Sequence, residues 1–304
     1  MRKEFARTIE KIAGDDSRII FLTGDLGFMA LEGVRDIMGS RFINVGVAEQ
    51  NMISLAAGLA SEGLIPFCYT IAPFAVFRPA EQLRLDVGLH NLNVKIVGNG
   101  GGYGYGIMGA THHALEDIAV VSSFQNFHCY IPYCNEDVQG TVHAMLQYGG
   151  PSYLRLGFGV VPPSIFKTDF APIRKLASGD KLTIVGLGPV VLNAWKAIEK
   201  LEDYSLADLF AVSEMPLTQL SEELMMSLNR TKKLLVIEEH VSRGGLGENL
   251  ALFIVKHQLN CQFIHRFALG YPNGLYGSQD YHQKLSGLDQ QSLATDIQTL
   301  LRLT

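Results

Sequence analysis

The chain has 304 residues, 47% apolar and 18% charged, which is enough to bury more than one core and points to about two domains. A net charge of −5 and a pI near 6.0 exclude the basic footprint of a nucleic-acid binder. No apolar run reaches the ~20 residues that span a bilayer. In chain order, Phe5, Ile9 and Ile12 mark one face of an N-terminal helix, where both charge signs mix and no signal-peptide stretch is read. Strands are predicted over 18–27 (ending in a turn), 41–47, 65–72, 93–99, 127–132 and 151–157. Helices are predicted over 48–61, about 79–90, 114–124 and 136–148. Residues 158–180 hold three prolines and little periodicity, and read as a crossing between domains. The alternation then restarts with strands near 181–188, 205–213, 232–240 and 261–269. Helices fall between them, and one more ends the tail from about 289. This is an α/β chain of two doubly wound units with mainly parallel sheets: 1–165, a linker over 166–180, and 181–304.

Four cysteines, Cys68, Cys129, Cys134 and Cys261, form no CxxC pair and are expected as reduced thiols in a cytoplasmic protein. Glu49 is the one charged residue in "FINVGVAEQNMISLAAGLAS", where a strand gives way to a helix. It either complements the helix dipole or has a partner, because a bare buried carboxylate is costly. Such junctions are where parallel sheets collect ligands. The helix after it is rich in small side chains and suits close packing against another backbone, at a subunit interface.

Seven glycines lie within 98–109. Gly104, Gly106 and Gly109 match GxGxxG only formally, with no strand directly before and no ribose-binding acid after. "TIVGLGPVV" lacks a third glycine and reads as structural. Thr111 is expected to cap the helix that follows, with Ala114, Leu115 and Ile118 buried. His112 and His113 would then lie at its start as neutral donors or acceptors, or as satisfied surface or core histidines. No third ligand stands at zinc-like spacing, so no metal site is expected. Tyr69, Phe74 and Phe77 are core residues, or a platform for a flat heteroaromatic ring. Arg155, charged within an apolar strand, is expected to pair with a carboxylate or an anionic ligand.

Together "INVGVAEQNM", "PFAVF", "NLNVKIVG", "GATHHALEDIA" and "GPSYLRLG" resemble the C-terminal half of transketolase, in that family's order. The likeness covers most of 15–157 and continues loosely through "VIEEHVSRGGLGENLA". It implies a pyrimidine-binding domain followed by a transketolase C-terminal domain, and a thiamine diphosphate cofactor. Glu49 is then the catalytic acid that shares a proton with the cofactor's aminopyrimidine. Phe74 and Phe77 match aromatics around that ring. His112 matches a histidine on the substrate's oxygens, with a catalytic and a substrate-binding role. Arg155 matches an arginine that binds a sugar phosphate. The family's Gly-Asp-Gly…Asn motif for diphosphate and Mg2+ belongs to its N-terminal half. "TGDLG" is not that motif, although Asp25 within it is carried as a cofactor-binding candidate. The resemblance thus implies one subunit of a split transketolase, with the diphosphate and Mg2+ held by an N-terminal partner chain and two copies of each chain assembled. A histidine and an aspartate that contact the substrate in the family are replaced by Gly100 or Gly101 and by Met108, so an unusual or modified donor sugar, or a smaller donor, is expected. The alternatives are a deoxyxylulose-phosphate-synthase-like or 2-oxo-acid dehydrogenase beta-type subunit, and, of another class, a non-catalytic regulatory or interaction subunit.

Overall fold

A computed structural model describes residues 1–302 apart from 28, 163–164, 166–168 and 204. The first sheet contains β1 (Ile19–Thr23), β2 (Phe42–Asn44), β3 (Ile65–Ile71), β4 (Lys95–Asn99), β5 (His128–Tyr130) and β6 (Ser152–Leu156). All six run parallel, in the order β5-β6-β4-β3-β1-β2. The central strands read as unbroken apolar runs because helices cover both faces: β1, β3 and β6 are buried at every position. The helices are α1 (Arg2–Asp15), α2 (Glu32–Met38), α3 (Glu49–Ser61), α4 (Ala72–Val76), α5 (Ala80–Gln82), α6 (Asp117–Ser122) and α7 (Val138–Tyr148); α5 continues as a π-helix over Leu83–Leu89. One face packs Phe5, Ile9 and Ile12 of α1 with Val34 of α2 and Val142 of α7. The other packs Met52, Ile53 and Ala56 of α3 with Val76, Leu83 and Ile118.

The second sheet contains β7 (Ile173–Ala177), β8 (Leu182–Leu187), β9 (Ala207–Val212), β11 (Lys233–Glu238) and β12 (Gln262–Arg266), with β10 (Glu214–Met215) between β9 and β11 in the chain. Its order is β12-β11-β8-β9-β7, parallel except for β7, which is antiparallel to β9. Helices α8 (Val191–Lys200), α9 (Glu222–Thr231), α10 (Leu246–Lys256), α11 (Gln279–Leu285) and α12 (Gln290–Arg302) complete the unit. The α9 start obeys the capping rule: the Ser221 hydroxyl accepts from the Leu224 N–H, and Glu222 and Glu223 fill the first turn.

Three expectations are corrected. The expected linker is not all connection, since its residues 173–177 form β7, an edge strand of the second sheet; residues 166–168 of it lie outside the described set. No helix begins near residue 112: Gly102 and Ala114 form an antiparallel bridge, and α6 opens only at Asp117. The Thr111 hydroxyl turns to the Met108 carbonyl and to His112 instead of capping a helix. The two halves also interlock. β10 leaves the second half and pairs antiparallel with β5, so the first sheet has seven strands. Arg174 of β7 reaches across to Asp137, at 2.6 Å, beside the start of α7.

Candidate active site

The C-terminal ends of β1, β3 and β4 lie side by side, and the chain leaves them through the segments that carry the candidate residues. After β2, Gly46 adopts a left-handed φ of 74°, which favours glycine, and turns the chain into α3. Glu49 is the first residue of that helix and is 3% exposed. It is not alone. Arg78 Nη1 donates to both carboxylate oxygens at 2.8 Å, and the Thr70 hydroxyl, from the end of β3, donates at 3.2 Å. The Arg78 guanidinium carbon sits over the Phe74 ring, 3.7 Å from its centre. The His112 ring makes T-shaped contacts with Phe74 and Tyr105, ring centres 5.4 and 5.7 Å apart. Asn99 Nδ2 donates to the Tyr105 hydroxyl at 2.9 Å. Glu49, Arg78, Phe74, His112 and Tyr105 thus form one continuous wall. Beside it a cleft of about 490 Å³ opens, lined by residues 47–51 and Arg78.

Other candidates are placed differently. Phe77 is 40% exposed and contacts neither His112 nor Arg78 among the described ring contacts. The Asp25 carboxylate accepts from Asn44 Nδ2 at 2.9 Å and lines a separate groove with Thr23 and Arg35. Arg155 is buried and turned inward. Its Nε lies 3.2 Å from Asp117, and its Nη2 donates to the Ala114 and Glu239 carbonyls at 2.7 and 2.8 Å. Asp117 accepts a further bond from the Tyr153 hydroxyl at 2.6 Å. Gly100, at φ 73°, has the Tyr105 ring where a Cβ would stand, and a Cβ on Gly101 would run into Arg155. A histidine at either position is therefore shut out by its neighbours. Among the described residues no group of three or more His, Cys, Asp or Glu is placed to hold a metal ion.

The second domain grips the glycine-rich loop. The Glu239 carboxylate accepts from the Tyr103 N–H at 2.6 Å and from Gln279 Nε2 at 2.9 Å. Burial pushes its carboxyl above the usual range. His113 is buried, with Nε2 2.8 Å from the Gly106 carbonyl and Nδ1 2.8 Å from the Tyr271 hydroxyl. The carbonyl can only accept, so Nε2 carries the proton and Nδ1 accepts from Tyr271. Burial lowers the His113 pKa to about 4; the bond to Gly106 opposes this, and His282 and His112 add to it. The cause is the packed loop, not a helix terminus. Because the unfolded chain protonates near 6.5, it binds more protons than the native state between about pH 6.5 and 4. His113 therefore makes stability fall as pH drops through that window and has no effect above it. Urea unfolding at pH 7 and pH 5 should show this loss in the wild type and a smaller one in His113→Gln.

Sequence reasoning missed Arg78, Thr70, Tyr105 and Glu239. A signal existed for Arg78, the lone cation within 65–83 and set directly beside the aromatic run.

Comparison with known proteins completes the picture. Residues 1–161 match the transketolase pyrimidine-binding domain, and 172–292 match the transketolase C-terminal domain. The chain belongs to the transketolase family. It is similar to one subunit of the apulose-4-phosphate transketolase of Phocaeicola vulgatus, at 32% identity over 81% of this chain and 80% of that one. It also resembles a putative transketolase C-terminal section of Methanocaldococcus jannaschii, at 31% identity over 98% and 95%. Among solved structures, a split-gene transketolase in an inactive beta4 tetramer superposes with a TM-score of 0.83, at 27% identity, over 99% of this chain and 98% of that one. The transketolase of Leishmania mexicana shares the fold, with a TM-score of 0.81 at 18% identity, and this family member spans 45% of its length.

Proposed function

We propose that this chain is the pyrimidine-side subunit of a split, thiamine diphosphate-dependent transketolase that moves a two-carbon ketol unit from a ketose donor to an aldose acceptor. The single observation that carries the reading is Glu49: a buried carboxylate at the start of α3 that lines an open cleft and pairs with Arg78, which in turn lies over Phe74 beside His112. These residues fit the aminopyrimidine end of the cofactor, with an acceptor for a ring N–H and an aromatic face for the ring. When bound, the cofactor supplies an acidic thiazolium carbon that carries the transferred unit.

The chain's own residues do the rest. Glu49 holds a proton shared with the pyrimidine ring nitrogen, and Thr70 fixes the carboxylate's orientation through Oε1. Phe74, rather than Phe77, offers the stacking face. Thr111 Oγ1 engages Nδ1 of His112 at 2.8 Å, leaving Nε2 for a substrate oxygen. The diphosphate and Mg2+ are assigned to a partner chain with the Gly-Asp-Gly…Asn motif. Relatives named as a single subunit, a C-terminal section and a split-gene product support such a division. We assign a donor other than the usual ketose phosphate, since Tyr105 and Arg155 close the positions of Gly100 and Gly101.

Reconstitution with the partner tests this. The chain alone should be inactive, and the assembly should transfer two carbons without releasing CO2 from pyruvate. Donor profiling should rank xylulose 5-phosphate below another ketose or a smaller donor. Xylulose 5-phosphate as best donor would sink the specificity assignment, and CO2 release would favour a synthase or dehydrogenase reading.

A further inference from the structure

Arg78 meets Glu49 and Phe74 in the same way a flat nitrogen heterocycle would. Its Nη1 donates to both Glu49 oxygens at 2.8 Å, while its guanidinium carbon sits over the Phe74 ring, 3.7 Å from the centre. An aminopyrimidine held by these residues needs the same two things, an N–H aimed at the carboxylate and a ring face on the aromatic. Guanidinium is suited to the imitation because it is planar, permanently charged and weakly hydrated. Two groups cannot fill one place. We propose that Arg78 is a place-holder for the cofactor's aminopyrimidine, pairing Glu49 while the site waits and swinging out when the ring arrives. This rests on the reading of Glu49 given above.

Burial and exposure fit the exchange. Glu49 is 3% exposed, so its charge needs a partner at all times. The Arg78 side chain is 41% exposed and lines the open cleft, so it has a way out into water. Arg78 can therefore yield only by exchange, leaving for water as another group takes over the buried carboxylate. While Arg78 lies over Phe74, only the swung-out fraction accepts cofactor, and apparent affinity drops by that fraction.

Two measurements test the proposal. In the chain alone, Arg78→Met and Glu49→Gln should each lower the Tm, and the double variant should lower it by less than the sum, the mark of a coupled pair. Additive effects would overturn the pairing and with it the place-holder. In the complex with the partner, thiamine diphosphate titrated by calorimetry should bind Arg78→Met on the order of tenfold more tightly than wild type. Arg78→Lys keeps the charge but loses the planar group over Phe74, and should also bind more tightly. Weaker or unchanged binding in both variants, with wild type still binding, would overturn the place-holder alone and make Arg78 a ligand or a bystander. Failure of every variant and of wild type to bind would bring down the cofactor reading itself.

Discussion

Glu49→Gln in the assembled enzyme is expected to lower kcat at least ~100-fold, the usual size of a positioned proton transfer. Glutamine has nearly the same shape and keeps one oxygen to accept from Thr70 and Arg78, so folding should survive. What it loses is the ability to take and return a proton at the ring nitrogen. The partly exposed Arg78 can turn to water if its partner is neutral. The measurement is a steady-state rate paired with a cofactor titration, because the two readings separate there. A large fall in kcat with cofactor bound marks Glu49 as catalytic. Unchanged turnover with cofactor bound would support a subunit that kept the fold without the chemistry.

The second large effect belongs to Arg155, and it concerns stability. Its guanidinium joins Asp117 and the Ala114 carbonyl of the first half to the Glu239 carbonyl of the second, all buried. Arg155→Met would leave the Asp117 charge with the Tyr153 hydroxyl alone. Breaking a buried pair from one side costs about 3–5 kcal/mol, a large share of the ~5–15 kcal/mol of a typical fold. Thermal unfolding should therefore move down by roughly 6–15 °C. A phosphate-binding role predicts the opposite split: an unchanged Tm and a raised KM for a phosphorylated donor.

Much of the fold was legible because parallel strands under helices leave plain apolar runs, as in "RIIFLT" and "IPFCYTI". Glu49 stood out for a similar reason, as one charge in a neutral stretch. The errors have physical causes. Ala114, Leu115 and Ile118 carry helical spacing, yet Ala114 spends its N–H and C=O on Gly102 in a bridge that no local pattern reveals. β7 reads as linker because "IRKLA" is a half-buried edge with two cations, one of them paired to Asp137 far away in sequence. Arg78 was missed because its meaning lies in a contact 29 residues away. The register of Phe74 against Phe77 needed the short turn of α4, which sets Phe74 under the guanidinium and leaves Phe77 outward.

The two-residue strand β10 bears on how such a protein can be inherited. Because Glu214 and Met215 finish a sheet built mostly from the first half, that sheet's β5 edge is covered only when the second half is present. The halves are therefore not interchangeable cassettes. Recombination inside the chain must carry along a matching strand for the β5 edge.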